Sequence, residues 1–290
     1  MSRKRLTQIF PALIPLRQKQ RRLCCLARMA LDHRRYASAL SPRQLPVTVY
    51  QQTMPLRNPD TGFDMVYQEN KVYNLRLAAR QLQGLLIRPG ETFSFCWAVR
   101  SAQRRAPYRD GLSVVNGRLT TAPGGGLCQM TNLLFWLFLH SPLTLVERSG
   151  HREKDFPDLG SQPAGVDATF SEGWLDLKVR NDTRQTFQLE LAFGEDSITG
   201  ALRADQPDGV AYQVCNRGLT YRRDQGGIYQ EVDVVQRRLS RVTGELLEER
   251  LLYHNRCRIG YPLPAGTVVQ VSFEGRPAPR GMAAMRRREG

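Results

Sequence analysis

The chain is short of histidine and has no paired-cysteine motif. Four histidines and six cysteines are spread over 290 residues, and no two cysteines stand in a C-x-x-C arrangement. That spacing is what structural zinc sites and thioredoxin-type pairs use. No metal and no cofactor is therefore expected. Cys24 and Cys25 are sequence neighbours, unsuited to bonding each other. A disulfide framework is not expected in a long chain that reads as cytosolic. Long apolar runs are missing too. Leu133–Leu139 covers seven residues, whereas a membrane helix takes about 20. The apolar patch from Phe10 to Leu16 is broken by Pro11 and Pro15, so no export leader is read there. The expected location is cytoplasmic, peripheral to the membrane at most. No zinc-finger pattern, RNP-like aromatic strand, internal repeat or low-complexity tract is present.

Acidic residues are scarce at the two ends. Residues 1–36 hold ten Lys/Arg and one acidic residue, and residues 276–290 hold five Arg and one Glu. The net charge of +15 therefore leaves only +2 for residues 37–275. Basic ends on a near-neutral body attract polyanions and anionic membrane surfaces. Leu16, Leu23, Leu26, Met29 and Ala30 lie among the N-terminal Arg and Lys as in an interfacial helix. An anionic membrane surface is thus the expected partner of the tails. Nucleic acid ranks below it, because no nucleic-acid module accompanies the charge. A merely solvated terminus explains the same pattern.

The densest chemical signal is Pro123-Gly124-Gly125-Gly126-Leu127-Cys128-Gln129, which runs into the apolar Leu133–Leu139 segment. Three glycines cost helix stability and point to a sharp turn or close backbone approach. The segment after them reads as a buried helix with Cys128 in its first turn. There the unsatisfied amides and the helix dipole favour thiolate over thiol. Downstream stand Glu147-Arg148, His151 and Asp167. A cysteine nucleophile needs a base, and the base needs an orienting acceptor. His151 as base and Asp167 as orienter supply those types, with Glu147 as the alternative orienter. Amides of the Gly126–Gln129 turn, helped by the Gln129 side chain, are candidate oxyanion donors. Arg148 is a candidate fork for a substrate carboxylate. The order Cys, His, Asp suggests a papain-like layout, with cysteine opening a helix and histidine on sheet. Each residue also has an ordinary explanation: a buried core thiol, a solvated turn histidine, a capping aspartate, a surface ion pair.

Periodicity supplies the rest of the architecture. Leu75, Ala78, Ala79, Leu82, Leu85 and Leu86 recur at helical spacing over 71–86, and Pro89-Gly90 ends that helix. Short strands are predicted at 92–95, 143–147, 168–170, 175–181 and 186–193. Asn116-Gly117 reads as a hairpin turn between 112–115 and 118–121. Longer strands are predicted at 210–215, 228–238 and 246–253, with tips at Gly226-Gly227 and Thr243-Gly244. The fold class is α+β, mainly antiparallel sheet with few helices. Four regions follow: a basic, partly helical segment over 1–40, loosely attached; an α+β domain over 41–205, entered by a linker at Ser41-Pro42 and Leu45-Pro46; a strand-rich extension over 206–275; and a basic tail over 276–290.

A run of motifs resembles the VanW family. They are Arg88-Pro89-Gly90-Glu91-Thr92-Phe93-Ser94-Phe95, Asn116-Gly117, the Gly124–Gln129 signature, Glu147-Arg148 with His151, Asp167-Ala168-Thr169, and Asp176–Asn181. The similarity is dense over roughly residues 70 to 195. The family is named for an accessory gene of glycopeptide (vancomycin) resistance. Some exported relatives look like cysteine-dependent peptidoglycan cross-linking enzymes of the L,D-transpeptidase type. The resemblance then implies that Cys128 is the acylated nucleophile and that a peptide-like cell-wall substrate or precursor is the partner. The better-known L,D-transpeptidases place their histidines before the cysteine, whereas His140 and His151 follow it here, so shared chemistry implies convergence. Two functions stand: a cysteine-dependent acyltransferase acting on peptidoglycan-type peptides, and a non-catalytic accessory or binding protein of the same fold associating through its basic tails.

Overall fold

A computed structural model describes residues 14–104, 106–115, 118–154 and 162–271. Its helices are α1 (Ile14–Leu31), α2 (Val66–Leu82), the single-turn α3 (Phe95–Ala98) and α4 (Cys128–Leu139). The strands form three sheets and one hairpin. One sheet orders Arg35–Tyr36, Glu91–Ser94, Lys178–Arg180 and Thr144–Glu147. A second, fully antiparallel, orders Val47–Pro55, Ser197–Ala204, Phe187–Phe193 and Leu86–Ile87. A third is a meander of Val210–Asp224, Gly227–Ser240 and Leu246–Ile259, flanked in parallel by Val269–Val271 and Glu153–Lys154. The hairpin pairs Asp110–Val115 with Arg118–Pro123. The α+β class with mainly antiparallel sheet is the one expected.

α4 is the axis of the core. It is apolar on nearly every side, the composition of a helix with no solvent face. Met130, Leu133, Leu134, Phe135 and Leu137 have no exposed surface at all. All three sheets touch it. Phe93 packs on Phe138 with ring centroids 5.0 Å apart, and Trp136 Nε1 donates to Tyr50 Oη at 3.1 Å. From the third sheet, Gln236 Nε2 donates to the carbonyls of Leu139 (2.6 Å) and Ser141 (3.2 Å). Those carbonyls lie at the helix end, where acceptors lack intrahelical partners.

Several expectations are corrected. The helix expected over 71–86 begins five residues earlier and stops at Leu82. No strand forms at 168–170, because side chains of α4 take that backbone. Thr131 Oγ1 donates to the Ala168 carbonyl at 2.6 Å, and Ala168 N donates to Asn132 Oδ1 at 2.6 Å. Within the described part of the N-terminal segment, residues 14–40, the chain is not a loose appendage. Met29 is buried, and Arg35–Tyr36 pairs in parallel with Glu91–Thr92. Ser41 to Pro46 is not a free linker either. The buried Gln188 holds it, donating to the Ser41 and Arg43 carbonyls and accepting from Leu45 N. Six strands have no counterpart among the expected ones: Arg35–Tyr36, Val47–Pro55, Leu86–Ile87, Glu153–Lys154, Ser197–Ala204 and Val269–Val271. The Asn116-Gly117 turn and the 276–290 tail lie outside the described residues.

The glycine run meets its counterpart on the hairpin. A Cβ at Gly125 would fall 2.1 Å from the Gly111 carbonyl oxygen, so both positions need glycine. Asn74 of α2, fully buried, pins this contact. Its Nδ2 donates to the carbonyls of Arg109 (2.9 Å) and Gly125 (3.1 Å), and its Oδ1 accepts from Arg109 N (2.8 Å). Asn74→Ala strands buried polar backbone groups at a cost of about 2–3 kcal/mol. Urea denaturation of the variant is expected to show that loss; a change below about 0.5 kcal/mol contradicts the role given to Asn74.

Candidate active site

The turn before α4 is set by Gly126, whose φ of 87° is a left-handed conformation that side chains disfavour. A Cβ there would also strike the Lys71 side chain at 2.2 Å. Lys71 thus lies across the turn, and burial, with Arg57 nearby, pushes its ammonium pKa down to about 8. Cys128 is the first residue of α4 and is partly accessible. The Gln129 amide donates to the Gly126 carbonyl and the Leu127 amide to that of Gly124. Among the described residues, no backbone acceptor takes the amides of Gly126 and Cys128.

Around the sulfur, Thr169 Oγ1 lies 3.4 Å away and Phe170 N donates to it at 3.4 Å. The His151 imidazole also hydrogen-bonds the thiol. His151 Nδ1 is 2.6 Å from Asp167 Oδ2, so Nε2 is the nitrogen left for the sulfur. Asp167 Oδ2 also accepts from His151 N at 2.7 Å, which fixes backbone and ring together. Three predicted catalytic residues therefore form one line, Cys128–His151–Asp167. His151 lies on irregular chain rather than on a strand, unlike the papain-like layout that was expected.

The electrostatics follow from burial against partners. Burial raises the Cys128 pKa, but the hydrogen bond and charge of His151, the Thr169 hydroxyl and the Phe170 amide outweigh it and bring it below the usual thiol value. Burial lowers that of His151, yet Asp167 and the Cys128 thiolate lift it to about 10. Burial raises that of Asp167, and His151, Arg148 and Lys154 bring it below the carboxylate norm. Negative sulfur beside positive ring is the arrangement these shifts favour.

The other predicted residues take different places. Arg148 does not present its fork to a substrate. Its side chain is only 10% exposed; Nη2 donates to Asp167 Oδ1 (2.6 Å), the Gly165 carbonyl (3.0 Å) and Asn255 Oδ1 (3.0 Å), and Nε to the Asp167 carbonyl (2.7 Å). The guanidinium carbon lies 4.3 Å from the Tyr253 ring centroid, a cation–π contact. Arg148 is a positioning residue for Asp167. Glu147 pairs with Lys178 at 2.8 Å and does not orient His151. The Gln129 amide side chain donates to the Pro55 carbonyl at 2.6 Å, tying α4 to a sheet. His140 stacks on Tyr50 at 3.8 Å and bonds the Trp136 carbonyl, within the core. Among the described residues no group of three His, Cys, Asp or Glu is placed to hold a metal.

Sequence reasoning gave no role to Thr169, Thr131, Asn132, Asn74 or Asn255. Two signals were available. Asn74 is a polar residue between Val72 and Leu75 in a mostly apolar stretch of helical periodicity. Asn255 alternates with Cys257 and Ile259 at the inward positions of its strand.

A family model described as "VanW like protein" matches residues 70–203. The chain is 51% identical over 271 residues to the vancomycin B-type resistance protein VanW of Enterococcus faecalis, covering 93% of this chain and 98% of that protein. It is 32% identical over 117 residues to the uncharacterized protein YoaR of Bacillus subtilis, 40% of this chain and 37% of that one. No solved structure matches it.

The thiolate fraction of Cys128 rises as pH passes its own lowered pKa, and loss of the imidazolium moves that rise to higher pH. At a fixed pH below the pKa, raising the pKa by 1 lowers the thiolate fraction about tenfold. Iodoacetamide is expected to alkylate Cys128 fastest of the accessible cysteines at pH 7, and about tenfold or more slowly in His151→Ala. Peptide mapping by mass spectrometry reads the rates; equal rates in the two proteins contradict the pairing.

Proposed function

Because the chain belongs to the VanW family, we propose that it serves in vancomycin resistance as a cysteine-dependent acyl-transfer enzyme, of L,D-transpeptidase type, on peptidoglycan-type peptides. The observation that carries the reading is the Asp167–His151–Cys128 line, with Nδ1 of His151 held at 2.6 Å by a buried carboxylate. The Cys128 thiolate attacks a peptide carbonyl. The amides of Gly126 and Cys128, which no backbone acceptor among the described residues takes, serve as the oxyanion donors, and preorganised donors of this kind are usually a large catalytic contribution. His151 Nε2–H protonates the departing amine, leaving a thioester on Cys128. An incoming amine then attacks the thioester and His151 takes its proton, so the acyl group moves and the enzyme is restored. Asp167 holds the ring in the tautomer this requires and stabilises its positive form.

Incubation of the full chain with soluble stem peptides of three to five residues is expected to give a thioester-linked acyl group on Cys128, seen by mass spectrometry, and exchange of the terminal residue. Cys128→Ala abolishes both, and His151→Ala slows exchange about 100-fold or more. Absence of adduct and exchange with every stem peptide overturns the enzymatic reading in favour of a binding protein.

We further propose that the protein works at the cytoplasmic membrane surface, on precursors. No helix among the described residues is long and apolar enough to cross a membrane. α1 supports surface docking: Leu16 and Leu23, two turns apart, are 66% and 67% exposed, beside Arg17 and Lys19. Vesicles containing phosphatidylglycerol are expected to co-sediment the protein at 50 mM salt and to release most of it at 500 mM, since exposed charges are screened over about 4 Å there. Binding that ignores salt, or that neutral vesicles match, rules this out.

A further inference from the structure

α1 does more than lie on the surface. Arg22 pairs with Glu172 at 3.2 Å and donates to the Arg100 carbonyl, and Arg21 covers the Trp174 ring at 4.9 Å. One turn further along, Cys25 reaches the body. Its Sγ donates to the Met29 sulfur at 3.9 Å, and the Cys96 thiol of α3 is near enough to act on its ionisation. Cys25 and Cys96 line one small cavity with Arg22, Leu26, Arg100 and Gly173. Cys96 is buried and held in place: its amide donates to Asp176 Oδ1 at 2.9 Å, and its sulfur lies 3.9 Å from the Leu175 carbonyl oxygen. The proposed mechanism uses neither thiol.

We propose that Cys25 and Cys96 are a disulfide-forming site, oxidised by a small-molecule disulfide of the glutathione type, that clamps α1 to the body. The thiolate of Cys25 attacks one sulfur of the oxidant, giving a mixed disulfide and releasing one thiol. The Cys96 sulfur then attacks the Cys25 sulfur and releases the second thiol. Two cysteine thiols are oxidised, one small disulfide is reduced, and the protons end on the two released thiols. A small cavity lined by one cysteine from α1 and one from α3 is what distinguishes this pair from the other free cysteines.

The order of attack has a physical basis. Cys25 is partly accessible, whereas Cys96 is buried. The neighbouring Cys96 thiol brings the Cys25 pKa down to about 7 against the effect of burial. The same pairing, burial and the Asp176 charge push Cys96 upward. Cys25 is thus the attacking thiolate and Cys96 the resolving thiol. The bridge would close a long loop of chain, the case in which a crosslink most restricts the unfolded state.

The test uses the full chain with Cys24→Ser, which removes the exposed neighbour of Cys25. In a buffer of reduced and oxidised glutathione, non-reducing peptide mapping is expected to find a Cys25–Cys96 linked peptide while Cys215 and Cys257 remain free. The unfolding midpoint should rise by about 5 °C or more on oxidation and fall back with dithiothreitol. Adding Cys25→Ser, at a partly accessible position, should remove both effects without unfolding the protein. Glutathione retained on Cys25 with Cys96 still free overturns the proposal, as does pairing of Cys25 with any other cysteine, or a protein that oxidising buffer leaves unchanged.

Discussion

Asp167 is a carboxylate almost without water, its side chain only 6% exposed. A lone charge in that position costs several kcal/mol, so its neighbours are obliged to answer it. One oxygen takes the Arg148 guanidinium; the other takes the amide and the ring of His151. Each of those partners is tied to something else: Arg148 to Asn255 and Gly165, His151 to the Cys128 sulfur. One buried charge thereby sets the relative positions of the 148–151 segment, the 165–169 segment, the third sheet and the first turn of α4. The same charge explains why a histidine with no strand beneath it has a defined ring plane.

α4 completes the arrangement from the other side. Its first turn carries the sulfur, and its next residues carry the hydroxyl and amide of Thr131 and Asn132 that hold Ala168. The residues after those are wholly apolar and buried. Precision at the site is thus inherited from packing: the helix has no freedom to shift, because every side of it is covered. Preorganised geometry of this sort is what separates a reactive thiol from a merely buried one.

Much of this is legible in the sequence, for identifiable reasons. The glycine run, the apolar segment behind it and the Cys, His and Asp residues are local or type-specific signals, and the structure brings them together. The three long strands of the third sheet announce themselves through β-branched residues and Gly turns. What cannot be read is long-range and side-chain specific. Arg148 looks like a substrate fork because a guanidinium pairs with any carboxylate; only the fold makes that carboxylate Asp167. Residues 168–170 have strand-like types, yet Ala168 and Phe170 bond side chains of α4, and only Thr169 N finds a backbone carbonyl, that of Ser149. The attachment of residues 22–46 depends on Gln188, Glu172 and Glu91–Thr92, far away in sequence. Val47–Pro55 is rich in Gln and Thr, so its strand character rests on pairing with Ser197–Ala204 more than on its own pattern.

Apart from Glu153–Lys154, the third sheet lies beyond the residues matched by the family model, and it is nonetheless part of the site's foundation. Gln236 closes the end of α4, Asn255 shares Arg148 with Asp167, and Tyr253 Oη donates to the Gly165 carbonyl at 3.2 Å. Val214 and Val234 complete the same apolar core. Excising the matched segment as a minimal unit would uncover the helix end, the arginine and the core together. The matched segment and the self-sufficient folding unit therefore have different borders, and a chimaera built on the first alone would carry Cys128, His151 and Asp167 without the frame that positions them.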